Sequence, residues 1–154
     1  MVKLQVGDKA PGFTGLNQEG KEIKLEDFSG SKLILYFYPK DDTPGCTAEA
    51  CNFNDNHNSW LDKGYSVVGV SPDDVESHRK FREKYGLQFD LIADPEKKIL
   101  EAYGVWGEKN MYGKKYMGVL RTTFIIDEEG IIQKIFEKVD TKDHTNQIIK
   151  NLNI

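Results

Sequence analysis

Two cysteines stand five residues apart in the run Pro39-Lys40-Asp41-Asp42-Thr43-Pro44-Gly45-Cys46-Thr47-Ala48-Glu49-Ala50-Cys51. Cys46 is the candidate nucleophile. It follows the Pro44-Gly45 turn signal and opens a segment, Thr47 to Leu61, that reads as a helix. An apolar run, Leu33 to Tyr38, precedes the turn and has the content of a buried strand. Cys46 therefore falls where a strand has just ended and a helix begins. The unpaired N–H groups and positive dipole end there favour an anion, and a thiolate is one. The plainer alternative is a buried, inert cysteine.

Other residues near this junction could act on such a sulfur. Thr43 offers a hydroxyl that accepts and donates, or simply caps the helix. Pro39 lacks an N–H and fixes φ, so it can shape a pocket wall or merely end the strand. Arg121 enters the apolar strand Thr122-Thr123-Phe124-Ile125-Ile126, where an arginine either has a partner or snorkels to solvent. Glu49 can orient that arginine or serve as a first-turn carboxylate favoured by the dipole. Cys51 can be a helix-buried cysteine, a metal ligand or a second reactive thiol. The metal reading is weak, since no second Cys/His pair has ligand spacing. His57, His78 and His144 are scattered over predicted helices and read as solvated.

The elements that position these residues alternate along the chain. A hairpin of Phe13–Leu16 and Glu22–Leu25 leads to one helical turn at Leu25–Phe28 and a central strand at Lys32–Tyr38. The helix after Cys46 runs to about Gly64. Then come a strand at Tyr65–Ser71, a helix at Val75–Tyr85, a strand at Phe89–Asp94 and a helix at Pro95–Tyr103. Val105–Leu120 reads as a loop-rich insert. A second hairpin, Thr122–Asp127 with Ile131–Glu137, precedes a terminal helix at Lys142–Leu152. This order predicts an α/β fold with a sheet covered on both faces and right-handed parallel crossovers.

At 154 residues, 38% apolar and 30% charged, residues 1–154 are expected to form a single domain. The net charge of −4 gives no reason to propose nucleic acid or an anionic membrane as a partner. No run of about 18 apolar residues occurs, and the start lacks the apolar core of a signal peptide. A cytoplasmic location is the resulting expectation. There, paired thiols serve catalysis or metal binding more often than permanent staples.

Pro39-x-x-x-Thr43-x-x-Cys46 resembles the peroxidatic motif of peroxiredoxins. The longer run from Thr43 to Cys51 resembles the bacterioferritin-comigratory-protein or Q-type branch, an atypical 2-Cys group. The resemblance extends from Val6-Gly7-Asp8-Lys9-Ala10-Pro11 to the terminal helix. One departure is Asn54, where the pattern leads us to expect a basic residue and a helix-surface ion pair. The resemblance implies a thioredoxin-like fold, with a central mixed sheet, helices on both faces and an N-terminal hairpin extension. It implies a thiol peroxidase for hydrogen peroxide and organic hydroperoxides, with no cofactor and no metal. Cys46 would be peroxidatic and Cys51 resolving, with Thr43, Arg121 and Pro39 around the peroxide. A thioredoxin-like dithiol would be the reductant. The branch is often monomeric, so a monomer is expected. The rivals are a general thiol-disulfide oxidoreductase and a redox sensor. The former calls for Cys-x-x-Cys, which this spacing does not supply.

The spacing also bears on motion. On one continuous helix, five residues give about 7.5 Å of rise and about 140° of rotation, or about 8.7 Å between Cα atoms. A disulfide needs Cα atoms within about 7 Å. Closing Cys46–Cys51 therefore requires unwinding, expected from Cys46 to about Asn54. Gly45, Asn52 and Asn54 are weak helix formers that should make the turns easy to lose.

Overall fold

The computed structural model describes residues 3–154. Its strands are β1 (Thr14–Leu16), β2 (Glu22–Lys24), β3 (Lys32–Phe37), β4 (Tyr65–Ser71), β5 (Asp90–Ala93), β6 (Trp106–Met111), β7 (Lys114–Val119), β8 (Thr122–Ile126) and β9 (Ile132–Phe136). Its α-helices are α1 (Pro44–Asp55), α2 (His57–Asp62), α3 (Val75–Tyr85), α4 (Lys98–Ala102) and α5 (His144–Leu152), with a 3₁₀ turn at Leu25–Phe28. Among the described residues, seven strands form one mixed sheet in the order β2-β1-β5-β4-β3-β8-β9, and β6 and β7 form a separate two-stranded sheet.

Strand β3 sits inside the sheet, parallel to β4 and antiparallel to β8. Its unbroken apolar sequence follows from burial on both faces. Leu33, Leu35 and Phe37 point into a cluster with Ile99, Leu100, Tyr103 and Phe124. Ile34, Tyr36 and Tyr38 point the other way, toward Ala50, Phe53, Trp60, Phe81 and Ile148. Helices thus cover both faces: α4 on one, and α1, α2, α3 and α5 on the other. Each fully buried Leu, Ile or Phe of these clusters contributes about 1.5–3 kcal/mol.

The elements differ from the sequence reading in three places. The helix after Cys46 breaks at Asn56, whose backbone (φ −108, ψ 15) is not helical. Its side-chain amide instead donates to the Asn52 carbonyl at 2.8 Å, the local competition asparagine offers within helices. The helix at Pro95–Tyr103 shrinks to α4 because Lys97 adopts a left-handed conformation (φ 61). The stretch Val105–Leu120 is not a loop but the β6–β7 hairpin, in register from Trp106↔Val119 to Met111↔Lys114. Its turn is Tyr112-Gly113, both at positive φ, with Asn110 Oδ1 accepting the Gly113 N–H at 3.1 Å. That is the two-residue turn that suits strand twist. Beyond its base at Trp106 and Val119 the hairpin is largely exposed, so its sequence lacks the apolar alternation that reveals a strand. Among the described residues, no helix is long and apolar enough to cross a membrane.

Candidate active site

Two features of the sheet build the site. Strand β3 delivers the chain to the loop Tyr38–Thr43 and then to the N-terminus of α1. Strand β8 runs antiparallel beside it, with Phe37 opposite Thr122, so the residue before β8 lies next to the residues after β3. That residue is Arg121. Sequence-distant groups therefore meet because two strands are neighbours.

Cys46 is a free thiol in the first turn of α1, 1% exposed. Arg121 Nη2 donates to its Sγ at 3.3 Å, and Nη1 donates to Glu49 Oε1 at 2.7 Å. Glu49 lies three residues beyond Cys46, hence on the same side of the helix. One guanidinium fork thus bridges sulfur and carboxylate, a use lysine could not serve. Gly45 makes room for it: a Cβ there would sit 3.3 Å from Arg121 Nη2. Burial opposes the Arg121 charge, but the charges of Glu49 and Cys46 hold its pKa above the usual range.

Glu49 is 0% exposed, and burial pushes its carboxyl up to about 7 against the pull of Arg121. Its Oε2 has no hydrogen-bond partner among the described residues and lies 3.9 Å from His144 Nε2. That imidazole is not solvated, as the sequence suggested, but fully buried at the start of α5. Thr123 Oγ1 lies 2.8 Å from its Nε2, and Gln147 Oε1 lies 2.7 Å from its Nδ1. Gln147 Oε1 also accepts the Asp140 N–H, so Nδ1 is the donor and Nε2 the acceptor. Burial lowers the His144 pKa to about 4.

Thr43 occupies the N-cap position with extended backbone, and its carbonyl accepts the Thr47 N–H at 2.8 Å. Its side chain does not cap the helix; the hydroxyl donates to the Lys40 carbonyl at 2.9 Å. The hydroxyl's proton is thereby committed, and its lone pairs are left to accept from another group. Pro39 and Thr43 line one side of a mainly apolar cleft, whose other side is Trp106, Met111, Tyr116 and Met117 from the hairpin. Phe53 of α1 lies in the core, 4.9 Å ring to ring from Tyr36.

Cys51 is also free, half-buried and on the same unbroken α1 as Cys46. Burial raises its pKa, with help from the charge of Asp55. The structure keeps both thiols on one helix and forms no bond between them. Beyond Cys51 the helix is tied down. Asn52 Oδ1 accepts the Thr145 N–H of α5 at 2.8 Å, and Asn54 bridges to the Gly86 carbonyl and the Gln88 N–H. The expected basic residue at position 54 is thus replaced by an amide that stitches α1 to the α3–β5 loop. The asparagines that looked like weak points are anchors.

The sequence reading passed over Asp41 and took His78 as solvated. His78 is fully buried, with Nδ1 2.7 Å from Asp41 Oδ2 and Nε2 3.0 Å from the Ile92 carbonyl. A signal was present: His78 falls three residues before Phe81, and His144 four before Ile148, on the core-facing stripes of their helices. Asp41, Asp73 and His78 bring ligand-type atoms within 4.8 Å of one another. The Asp41 carboxylate is engaged by His78, Tyr38 and Ser77, and Asp73 Oδ2 accepts from the Ser71 hydroxyl and the Asp41 N–H, which marks a hydrogen-bonded network.

Residues 6–135 match the model of the AhpC/TSA family. The chain is 46% identical to the peroxiredoxin Bcp of Bacillus subtilis, over 98% of this chain and 96% of that one. Among solved structures, a peroxiredoxin Q mutant of Xylella fastidiosa superposes with a TM-score of 0.91 at 30% identity, over 99% and 98% of the two chains. The bacterioferritin comigratory protein of Xanthomonas campestris superposes with a TM-score of 0.86 at 33% identity, over 99% of this chain and 98% of that one. That structure was described for its alkyl peroxide reduction activity and trapped intermediate and ligand complexes.

Proposed function

The chain belongs to the AhpC/TSA family and is a peroxiredoxin, a peroxidase, and on that premise we propose that Cys46, Thr43, Arg121 and Cys51 carry its reaction. The Cys46 thiolate attacks the distal peroxide oxygen. The O–O bond breaks, the sulfur becomes a sulfenic acid, and the departing oxygen takes a proton to leave as water or an alcohol. Arg121, donating to Cys46 Sγ at 3.3 Å, is the observation that carries this reading. Its fork stabilises the thiolate and the charge that shifts onto the leaving oxygen. Thr43 accepts the peroxide O–H, because its own proton is held by the Lys40 carbonyl. Glu49 keeps the guanidinium in place, and Pro39 forms the wall that keeps water from the sulfur. The apolar cleft beside Thr43 suits the carbon end of an organic hydroperoxide as well as hydrogen peroxide.

Cys51 then condenses with the sulfenic acid, releasing water and closing a disulfide that stops further oxidation. Both cysteines lie on α1, so the helix unwinds between them before the bond closes. A thioredoxin-like dithiol returns both to thiols. The test is peroxide consumption at catalytic protein concentration with thioredoxin and its reductase. Cys46→Ser should abolish it, since a hydroxyl without a strong base is a poor nucleophile. More than a few per cent of the parental turnover in that variant would refute the assignment of Cys46.

A further inference from the structure

We propose that Asp73, Asp41 and His78 are positioning residues: they fix the plane of the Lys40–Asp41 peptide and through it orient the Thr43 hydroxyl. The inference rests on the reading of Thr43 as the peroxide's acceptor. A peptide unit is planar and trans, so its N–H and C=O point in opposite, mutually fixed directions. In this unit the Asp41 N–H donates to Asp73 Oδ2 at 2.8 Å, and the Lys40 carbonyl accepts from Thr43 Oγ1 at 2.9 Å. Whatever holds one end aims the other.

The N–H end is held from all sides. Asp73 Oδ2 also receives the Ser71 hydroxyl at 2.7 Å. The buried Asp41 carboxylate takes Tyr38 OH at 2.6 Å, Ser77 Oγ at 2.8 Å and His78 Nδ1 at 2.7 Å. His78 Nε2 lies 3.0 Å from the Ile92 carbonyl, an acceptor that only a ring N–H can meet. The next residue, Asp42, holds a left-handed backbone (φ 58) and accepts from Lys84 Nζ and Tyr85 OH of α3, each at 2.7 Å. Such a network specifies one geometry when fully satisfied. The Asp41 carboxylate is buried, and the network engages both of its oxygens. Its influence on the chemistry therefore passes through the peptide plane.

The experiment is a double-mutant cycle on the rate at which reduced enzyme consumes its first equivalent of peroxide. Asp73→Ala and Asp41→Asn should each slow that step about tenfold, the scale of a misplaced catalytic hydroxyl. Thr43→Val should slow it at least as much. In the Thr43→Val background the Asp73 and Asp41 substitutions should cost nothing further, whereas a purely structural effect would multiply. Ser71→Ala, which loosens Asp73 without removing it, is the mild variant should the others fold poorly; it should show the same non-additivity with a smaller loss. Multiplying losses, or a parental rate in folded Asp73→Ala or Ser71→Ala, would overturn the proposal while leaving the role of Thr43 standing. A parental rate in Thr43→Val would overturn both.

Discussion

The two sides of Cys46 are held by different kinds of structure. Upstream, Lys40 to Thr43 is bound to α3 and to the end of β4 through Asp41, Asp42 and Asp73, with a buried histidine in the network. Downstream, the first turns of α1 have no side-chain cap, and Arg121 grips them through Cys46 and Glu49. Glu49 brings into that turn a buried carboxylate oxygen without a partner among the described residues. Only at Asn52 and Asn54 does the helix become tied again. The difference suits two tasks. In the proposed mechanism, peroxide attack needs a fixed acceptor and a fixed sulfur, and disulfide closure needs the segment from Cys46 to Cys51 to come apart. A rigid loop followed by a releasable turn serves both without moving the rest of the fold.

The comparison can be broken most severely at the group that joins both sides. Arg121→Met removes the charge at the sulfur and the grip on Glu49. The first-equivalent peroxide rate should fall about a hundredfold or more, the range seen when a preorganised donor is lost. Rapid mixing with peroxide measures it, and a rate within twofold of the parent would show that Arg121 does not act there.

Cys51→Ser tests the releasable side alone. The first equivalent of peroxide should disappear at the parental rate, after which turnover slows and mass spectrometry should find Cys46 as sulfinic acid. Normal steady-state turnover would show that Cys51 does not resolve the sulfenic acid.

The pH dependence sharpens the contrast further. Glu49 titrates near 7 in the folded turn, against about 4.5 as an ordinary carboxyl. Between those values the closed turn keeps a proton that the open turn releases. Raising the pH therefore favours opening across this window, by up to about tenfold per pH unit, and the effect levels off above 7. His144 has the opposite sign. Its pKa falls from 6.5 to about 4, so the stability it lends α5 is complete above 6.5 and is lost as pH falls through 4. The opening of α1, followed by amide exchange corrected for intrinsic rates, should rise between these limits in the parent and stay flat in Glu49→Gln. A slope unchanged by Glu49→Gln would remove Glu49 as its source.

The smallest effect belongs to the far anchor. Asn52→Ala removes the acceptor for the Thr145 N–H at the start of α5, a capping contact of about 1 kcal/mol. Disulfide closure should speed up about fivefold if that contact restrains the unwinding. An unchanged closure rate would place the limit of unwinding before Asn52.

Much of this was legible in the residues, for reasons that also explain the gaps. Strands β3 and β4 are buried on both faces, so continuous apolar runs marked them. Asp74, Gly86 and Gly64 carry the cap and turn chemistry that bounds helices. Cys46 and Arg121 were findable because a cysteine after Pro-Gly and an arginine opening an apolar strand both need an explanation. The β6–β7 hairpin was not legible: its exposure beyond the base leaves no alternation, and only Tyr112-Gly113 marks its turn. Asp41 was hidden, and the helix stripes that place His78 and His144 inward do not name their partners, because burial of polar groups depends on partners far apart in the chain. Asn52 and Asn54 show the same limit from the other side. Helix propensity described them as weak points, and tertiary hydrogen bonds made them ties.

The central claim is the asymmetry about Cys46, and amide exchange in the reduced and disulfide forms tests it most directly. In the reduced protein, Thr47 to Cys51 and the Asp41 N–H should both exchange slowly. After one equivalent of peroxide, with the Cys46–Cys51 bond confirmed by mass spectrometry, Thr47 to Cys51 should exchange fast while Asp41 stays protected by Asp73. Equal protection of the α1 turns in both forms, or loss of protection at Asp41 together with them, would contradict the account.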